Sequence, residues 1–290
     1  MDECRVTAPA KINLSLDITG SRHDGYHLLR MVMQSVSLCD TLVLRKKTAG
    51  EITFSCDRDG VPVSAENLAV RAAHAFFTYT RLTDAGVDIS LEKRIPIQAG
   101  LGGGSTDAAA TLVGLNALFQ TGLDTRTLCG IGLYLGADVP FTLKGGAALC
   151  EGIGEIMQPL PSLADCFFVI AKPEIGIITK EAFAHYDTHP PSRRPDTELV
   201  AAAVAAGDLR SLGSAMCNVL EEVCLYPEVF LLKKRLMDCH ALGALMTGSG
   251  SAVFGLFDEK SAAKRCLSVM KEHAKEVYLA EPCACGVSLS

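Results

Sequence analysis

The residues best suited to chemistry lie in one short stretch, Pro96-Ile97-Gln98-Ala99-Gly100-Leu101-Gly102-Gly103-Gly104-Ser105-Thr106-Asp107, where four glycines fall within five positions. Without a Cβ, glycine lets the backbone take positive φ and lets a ligand touch the chain itself. An apolar periodic segment follows at once, and the start of a helix offers unpaired N–H groups and the positive end of a dipole. Loop and helix start together make a cradle for an anion and suit a triphosphate. Ser105 and Thr106 add hydroxyls there. A Walker loop is excluded, because no Gly-Lys-Ser/Thr occurs. A dinucleotide fingerprint is excluded as well, since Gly100-x-Gly102-x-x-Ser105 lacks its last glycine. The competing reading is a surface hinge, which needs neither the hydroxyls nor a helix directly behind it. A second glycine turn, Thr247-Gly248-Ser249-Gly250-Ser251, reads equally well as a hairpin turn or a ligand loop. His23 and His27 have the i, i+4 spacing of two zinc ligands, but Gly25 between them makes a turn and no Glu follows His23. No metal site is read there.

These groups need elements to hold them. The first 60 residues read mainly as strands, and Val87, Ile89 and Leu91 alternate with polar neighbours as in a half-buried strand. Residues 65–80 read as a helix with Leu68, Ala72, Ala75 and Phe76 on one face and Ser64 as N-cap. A second helix begins near Ser105, its apolar face marked by Ala108, Leu112, Leu115 and Phe119; a third follows Thr125 with Leu128, Ile131 and Leu135. Cys166 to Ala171 is a buried strand, and three prolines make residues 189–195 a loop. Residues 196–240 read almost wholly as helix. The remainder runs strand (244–247), glycine turn, strand (252–257), helix (259–273), strand (276–280). This order is α+β, without the regular alternation of a doubly wound sheet. A domain boundary is expected near 155–165, around Pro159-Leu160-Pro161.

Composition narrows the class. The 290 residues are 49% hydrophobic and 21% charged, which is ordinary globular usage and excludes global disorder. No run approaches the ~20 apolar residues of a bilayer span. The opening Asp2-Glu3-Cys4-Arg5 is acidic where a signal peptide would be apolar, so a secretory signal is not expected. Net charge is −6, and no basic run exceeds the three residues of Arg45-Lys46-Lys47 or Lys233-Lys234-Arg235, which argues against a nucleic-acid partner. Twelve cysteines without any C-x-x-C read as reduced thiols of a cytoplasmic protein, Cys39, Cys129, Cys150, Cys166 and Cys217 lying in apolar segments. Oligomeric state is left open.

Three motifs stand in order: Ala8-Pro9-Ala10-Lys11-Ile12-Asn13-Leu14, the Pro96–Thr106 loop, and Met246-Thr247-Gly248-Ser249-Gly250. Together they resemble the GHMP kinase superfamily. Gly20-x-Arg22-x-Asp24-Gly25-Tyr26-His27, Gly136-Ala137-Asp138-Val139-Pro140-Phe141 and Glu151-Gly152-x-Gly154-Glu155 are similar to one branch of it. Members of that branch phosphorylate the 2-hydroxyl of a cytidine diphosphate-linked methylerythritol, in the non-mevalonate route to isoprenoids. The resemblance implies two domains: residues 1–160 like ribosomal protein S5 domain 2, and residues 161–290 ferredoxin-like, with the active site in the cleft between them. It implies ATP with Mg²⁺ and a small-molecule alcohol as acceptor, with no membrane partner. Carried residue by residue, it puts the catalytic pair on Lys11 and Asp138. Adenine falls to Asn67, and the phosphates fall to Pro96, Ile97, Gln98, Ala99, Gly100, Leu101, Gly102, Gly103, Gly104, Ser105 and Thr106. The cytidine end falls to Tyr26, His27 and Phe183. Asn13, Thr247, Gly248 and Ser249 complete the substrate side, and Ser105 is the one side chain expected to meet Mg²⁺. Two positions depart from many relatives: Thr106 keeps a hydroxyl where they carry a second serine, and Gln98 replaces a glycine at the loop's entry, on the adenine side.

Phosphoryl transfer passes through a loose transition state, so the protein mostly positions and neutralises. A cation beside the transferred group and an acceptor for the hydroxyl proton are the minimum, and the resemblance assigns these to Lys11 and Asp138. A carboxylate beside an ammonium group is a weak base, so Asp138 is expected to orient the hydroxyl and take its proton late. A mevalonate- or homoserine-type kinase is the alternative. The aromatic ring and imidazole at positions 26 and 27 favour a substrate that carries a base.

Overall fold

The structure, a computed structural model, describes residues 2–48 and 50–290. It opens on two long antiparallel strands, β1 (Glu3–Ser21) and β2 (His27–Thr48), joined by a turn that Arg22 and Tyr26 close with a 2.7 Å backbone bond. There follow β3 (Ile52–Cys56), α1 (Leu68–Thr80), β4 (Ala85–Glu92), α2 (Gly103–Leu118), α3 (Thr125–Leu133), α4 (Val139–Lys144), β5 (Ala147–Gly152) and β6 (Ile156–Leu160). β2 is long enough to serve two partners. Its later half pairs with β4, which carries β3, and its earlier half pairs with β5, which carries β6. β1 changes register against β2 between Pro9 and Ala10, between Asn13 and Ser15, and between Ile18 and Gly20. Such bulges re-aim side chains, and here they bracket Lys11 and Asn13.

The second half contains β7 (Phe167–Lys172), α5 (Thr179–Thr188), α6 (Thr197–Ala206), α7 (Leu209–Ala215), β8 (Cys217–Asn218), α8 (Val219–Glu222), α9 (Pro227–Asp238), β9 (Gly243–Met246), β10 (Val253–Phe257), α10 (Lys260–Met270), β11 (Glu276–Ala280) and β12 (Ser288–Leu289). Its sheet runs β11-β7-β10-β9, antiparallel throughout. With α9 before β9 and α10 before β11, this is the split β-α-β order of a ferredoxin-like layer, with α5 to α8 inserted after β7. The α+β architecture expected from the sequence is therefore present. The two sheets are not separate bodies. β12 and β8 both add to β1, and one buried cluster takes Ile12, Leu14 and Val36 from the first sheet, Phe168, Ile170 and Phe254 from the second, and Val200 and Val204 from α6.

Several elements differ from the sequence reading. Asn67, not Ser64, caps α1: its Oδ1 accepts from Ala69 N–H at 2.8 Å, while Nδ2 donates to the Pro62 carbonyl at 2.7 Å. The amide's two ends thus tie the incoming loop and the first turn of the helix to one side chain. α2 starts at Gly103, ahead of Ser105, because burial from Thr106 through Leu112 outweighs poor glycine propensity. The 196–240 stretch is broken by β8, and α5 was not read from the sequence at all. All twelve cysteines are free, as their spacing suggests.

Phe254 lies in the shared core with its ring edge-on to Phe168 at 5.8 Å. Phe254→Ala is expected to cost about 3–5 kcal/mol in denaturant unfolding. Both halves are expected to melt in a single transition, which circular dichroism and a fluorescent core probe would each follow.

Candidate active site

Lys11 comes off the bulged part of β1. Its backbone N–H donates to the Leu101 carbonyl at 3.0 Å, tying strand to glycine loop. Its ammonium group, 5% exposed, donates to Asn13 Oδ1 at 2.8 Å and lies 3.4 Å from Asp138 Oδ2, whose side chain is 28% exposed. Asp138 stands at the N-cap of α4 yet makes no side-chain capping bond. Its carboxylate thus faces a buried cation on one side and the cleft on the other. Asn13 is held by Thr247: Asn13 N–H donates to Thr247 Oγ1 at 3.1 Å, and that hydroxyl sits 3.3 Å from Asn13 Oδ1 and 3.2 Å from the Gly100 carbonyl.

The two glycine turns interlock. Gly100 has φ +73°, and a Cβ there would lie 2.0 Å from the Thr247 carbonyl oxygen. Gly102 has φ +70°, and a Cβ there would lie 2.9 Å from Lys11 Cγ. Only glycine allows either approach. Asn218 locks the second turn from behind, its Nδ2 donating to the Met246 and Gly248 carbonyls at 2.8 Å each. The second turn is thus both a strand connection and a cleft wall. Gln98 adopts φ +51°, a left-handed conformation that glycine takes at least cost, which gives the departure at this position a physical meaning.

A cleft of about 900 Å³ gathers these groups. Lys11, Asn13, Asp138, Gly248, Ser249 and every residue from Pro96 to Ser105 line it. So do Tyr26, His27 and Phe183 at its other end. His27 stacks on Phe183 with centroids 4.8 Å apart, and its Nε2 lies 2.7 Å from Asp187 Oδ1. Tyr26 is 58% exposed and lines the mouth. Three expected residues stand behind the wall instead. Asn67 is occupied by its cap, Thr247 holds Asn13, and Thr106 is buried with its hydroxyl unpartnered. Among the described residues no grouping of three or more His, Cys, Asp and Glu side chains is arranged to hold a metal.

Three further charged residues on the cleft were not found in the sequence. Lys180 and Asp187 ride on α5, unread because its apolar face is weak and none of its side chains is buried. Among the described residues lining the cleft, Lys180 is the charged side chain with no ion-pair partner. Lys93 lies under the start of α2, 2.5 Å from Asp40 Oδ2 and 2.6 Å from Asp107 Oδ2. Asp40 also accepts from the Arg94 and Ile95 amides at 2.6 and 2.8 Å. One ammonium cannot neutralise two buried carboxylates. Burial pushes Asp107 up to about 8 against the opposing pull of Lys93, and its buried Oδ1 has no hydrogen-bond partner. The folded chain therefore binds a proton that the unfolded chain, with a carboxyl near 3.9, has already lost. That contribution to stability is full below the unfolded value and disappears as pH rises through about 8. The melting temperature of the native protein is expected to fall from about pH 6 to pH 9 more steeply than that of Asp107→Asn, as scanning calorimetry across that range would record.

Comparison with known proteins gives the family. The GHMP kinases N terminal domain matches residues 67–146, and the GHMP kinases C terminal domain matches residues 200–276. A 4-diphosphocytidyl-2-C-methyl-D-erythritol kinase of Alkaliphilus oremlandii is 40% identical over 284 residues, covering 97% of each chain. One from Clostridium novyi is 42% identical over 274 residues, covering 94% of this chain and 97% of its own. A crystal structure of 4-(cytidine 5'-diphospho)-2C-methyl-D-erythritol kinase superposes with a TM-score of 0.80 at 34% identity, covering 95% of this chain and 98% of the other. Near-full-length identity at this level, on the same two-domain fold, places the chain in the 4-diphosphocytidyl-2-C-methyl-D-erythritol kinase family of the GHMP kinases.

Proposed function

We propose that the protein transfers the terminal phosphoryl group of ATP to the 2-hydroxyl of 4-diphosphocytidyl-2-C-methyl-D-erythritol, in the non-mevalonate route to isoprenoid precursors. The observation that carries the reading is the Lys11–Asp138 pair, 3.4 Å apart. It opens into a cleft with the glycine loop along one side and the His27–Phe183 stack at the far end. Amides of the loop and of the α2 start receive the triphosphate. Lys11 neutralises charge that builds on the transferred group. Asp138 orients the acceptor hydroxyl and takes its proton as the new bond forms, and Asn13 keeps the ammonium group in place. Residues 1–160 supply the nucleotide cradle together with Asn13, Tyr26 and His27 on the substrate side, and residues 161–290 complete that side with Phe183, Gly248 and Ser249.

Mg²⁺ belongs to this chemistry as an ion carried on ATP. The donors near the loop, the Ser105 hydroxyl and the Asp138 carboxylate, fit a cation that keeps most of its ligands as water and phosphate. When bound, it neutralises the phosphates' charge. Twelve free thiols fit a reducing, cytoplasmic setting. No helix among the described residues is long and apolar enough to cross a membrane. The substrate's diphosphate needs a counter-charge, and Lys180, one turn before Phe183, offers the unpaired cation. A mevalonate- or homoserine-type kinase remains the alternative within the superfamily, but its acceptor would give the ring stack nothing to bind.

A coupled ADP-release assay with the cytidylyl substrate, mevalonate and homoserine tests the assignment. Turnover is expected on the first alone, and turnover only on either of the others would overturn it. Asp138→Asn is expected to lose about 100-fold or more in kcat while ATP still raises the melting temperature. Lys180→Gln should raise KM for the cytidylyl substrate about tenfold, the effect of one charge-assisted contact, with kcat little changed and Lys180→Arg restoring it.

A further inference from the structure

We infer that Asp187 is the positioning residue that makes His27 a reader of cytosine and not of uracil. The inference rests on the proposed function, because it takes the base of that substrate as its ligand. It goes further in saying how one pyrimidine is told from the other. The His27 imidazole stacks on Phe183 at 4.8 Å with planes 28° from parallel, and Tyr186 meets it edge-on at 6.4 Å. Its Nε2 lies 2.7 Å from Asp187 Oδ1. An ionised carboxylate only accepts, so Nε2 carries the ring proton. Nδ1 has no hydrogen-bond partner among the described residues, and it belongs to a side chain 16% exposed that lines the cleft.

In the neutral ring, Nδ1 then holds a lone pair and accepts. Cytosine presents an amino group at its 4-position, a donor, whereas uracil carries a carbonyl oxygen there. The lone pair matches the first and repels the second. A proton on Nδ1 would reverse the preference. Phe183 and Asp187 are four residues apart on α5, so one helix face supplies both the surface that stacks on the imidazole and the carboxylate that orients its proton. A site built around such a hydrogen bond rejects an analogue that cannot make it far better than an apolar pocket does.

The test compares kcat/KM for the cytidylyl substrate and its uridylyl counterpart. The native protein is expected to favour the cytidylyl form by about 100-fold or more. Asp187→Lys presents a donor to Nε2 and drives the proton to Nδ1. It is expected to cut that ratio by about tenfold or more, through KM and not kcat. Asp187→Glu keeps the carboxylate and should keep the ratio. Since no α5 side chain is buried, these variants are expected to fold. A second readout needs no activity: the ¹⁵N spectrum of His27, assigned by its loss in His27→Gln, should show a pyridine-type Nδ1 in the native protein and a pyrrole-type Nδ1 in Asp187→Lys. An unchanged substrate ratio in Asp187→Lys, or a pyrrole-type Nδ1 in the native protein, would overturn the inference. A native protein that turns over both substrates alike defeats this inference alone. One that turns over neither defeats the proposed function and takes the inference with it.

Discussion

A backbone carbonyl, that of Thr247, occupies the space where any side chain at position 100 would begin. That close approach is the constraint on which the rest of the site depends. It brings the loop of one sheet against the turn of the other, and the Thr247 hydroxyl reaches both Gly100 and Asn13 from the same place. Asn13 in turn holds the Lys11 ammonium group. The chain of contacts runs from a strand turn in the second half to the reacting cation in the first without passing through a mobile side chain. Asn218 completes it by taking the carbonyls on either side of Thr247. Preorganisation of this kind means little rearrangement is needed when charge develops on the transferred group.

Charge in the cleft is distributed unevenly, and the pattern separates support from function. Lys93 is buried between two carboxylates under the α2 start, where it braces the glycine loop from below. Lys11 shares its position with one carboxylate that is open to ligand. Lys180 has no such partner. Moving outward, each cation is less committed to the protein and more available to phosphate.

Much of this was legible in the sequence, for physical reasons that differ from element to element. The glycine loop announced itself because its chemistry is local: the positive φ values, the close approach and the helix start lie within a dozen residues. The strand order of the second sheet was not derivable from periodicity, since it depends on pairings between residues far apart in the chain. The same holds for Lys93, whose partners lie 53 and 14 residues away. α5 escaped notice because a helix without buried side chains leaves no apolar stripe, and Asp187 and Lys180 escaped with it. Family resemblance points Asn67 toward the nucleotide, and the structure shows its amide also capping α1 and holding the Pro62 carbonyl.

The shared core carries one more implication. Because Ile12 and Phe254 belong to a single packed cluster, the two halves cannot swing apart as jaws do without tearing that cluster open. The floor of the cleft is a fixed anvil. The rim is anchored differently: α5 has no fully buried side chain and rests on the core through the partly buried Ala182, Phe183 and Tyr186, so the outer wall of the cleft is more lightly fastened than its floor.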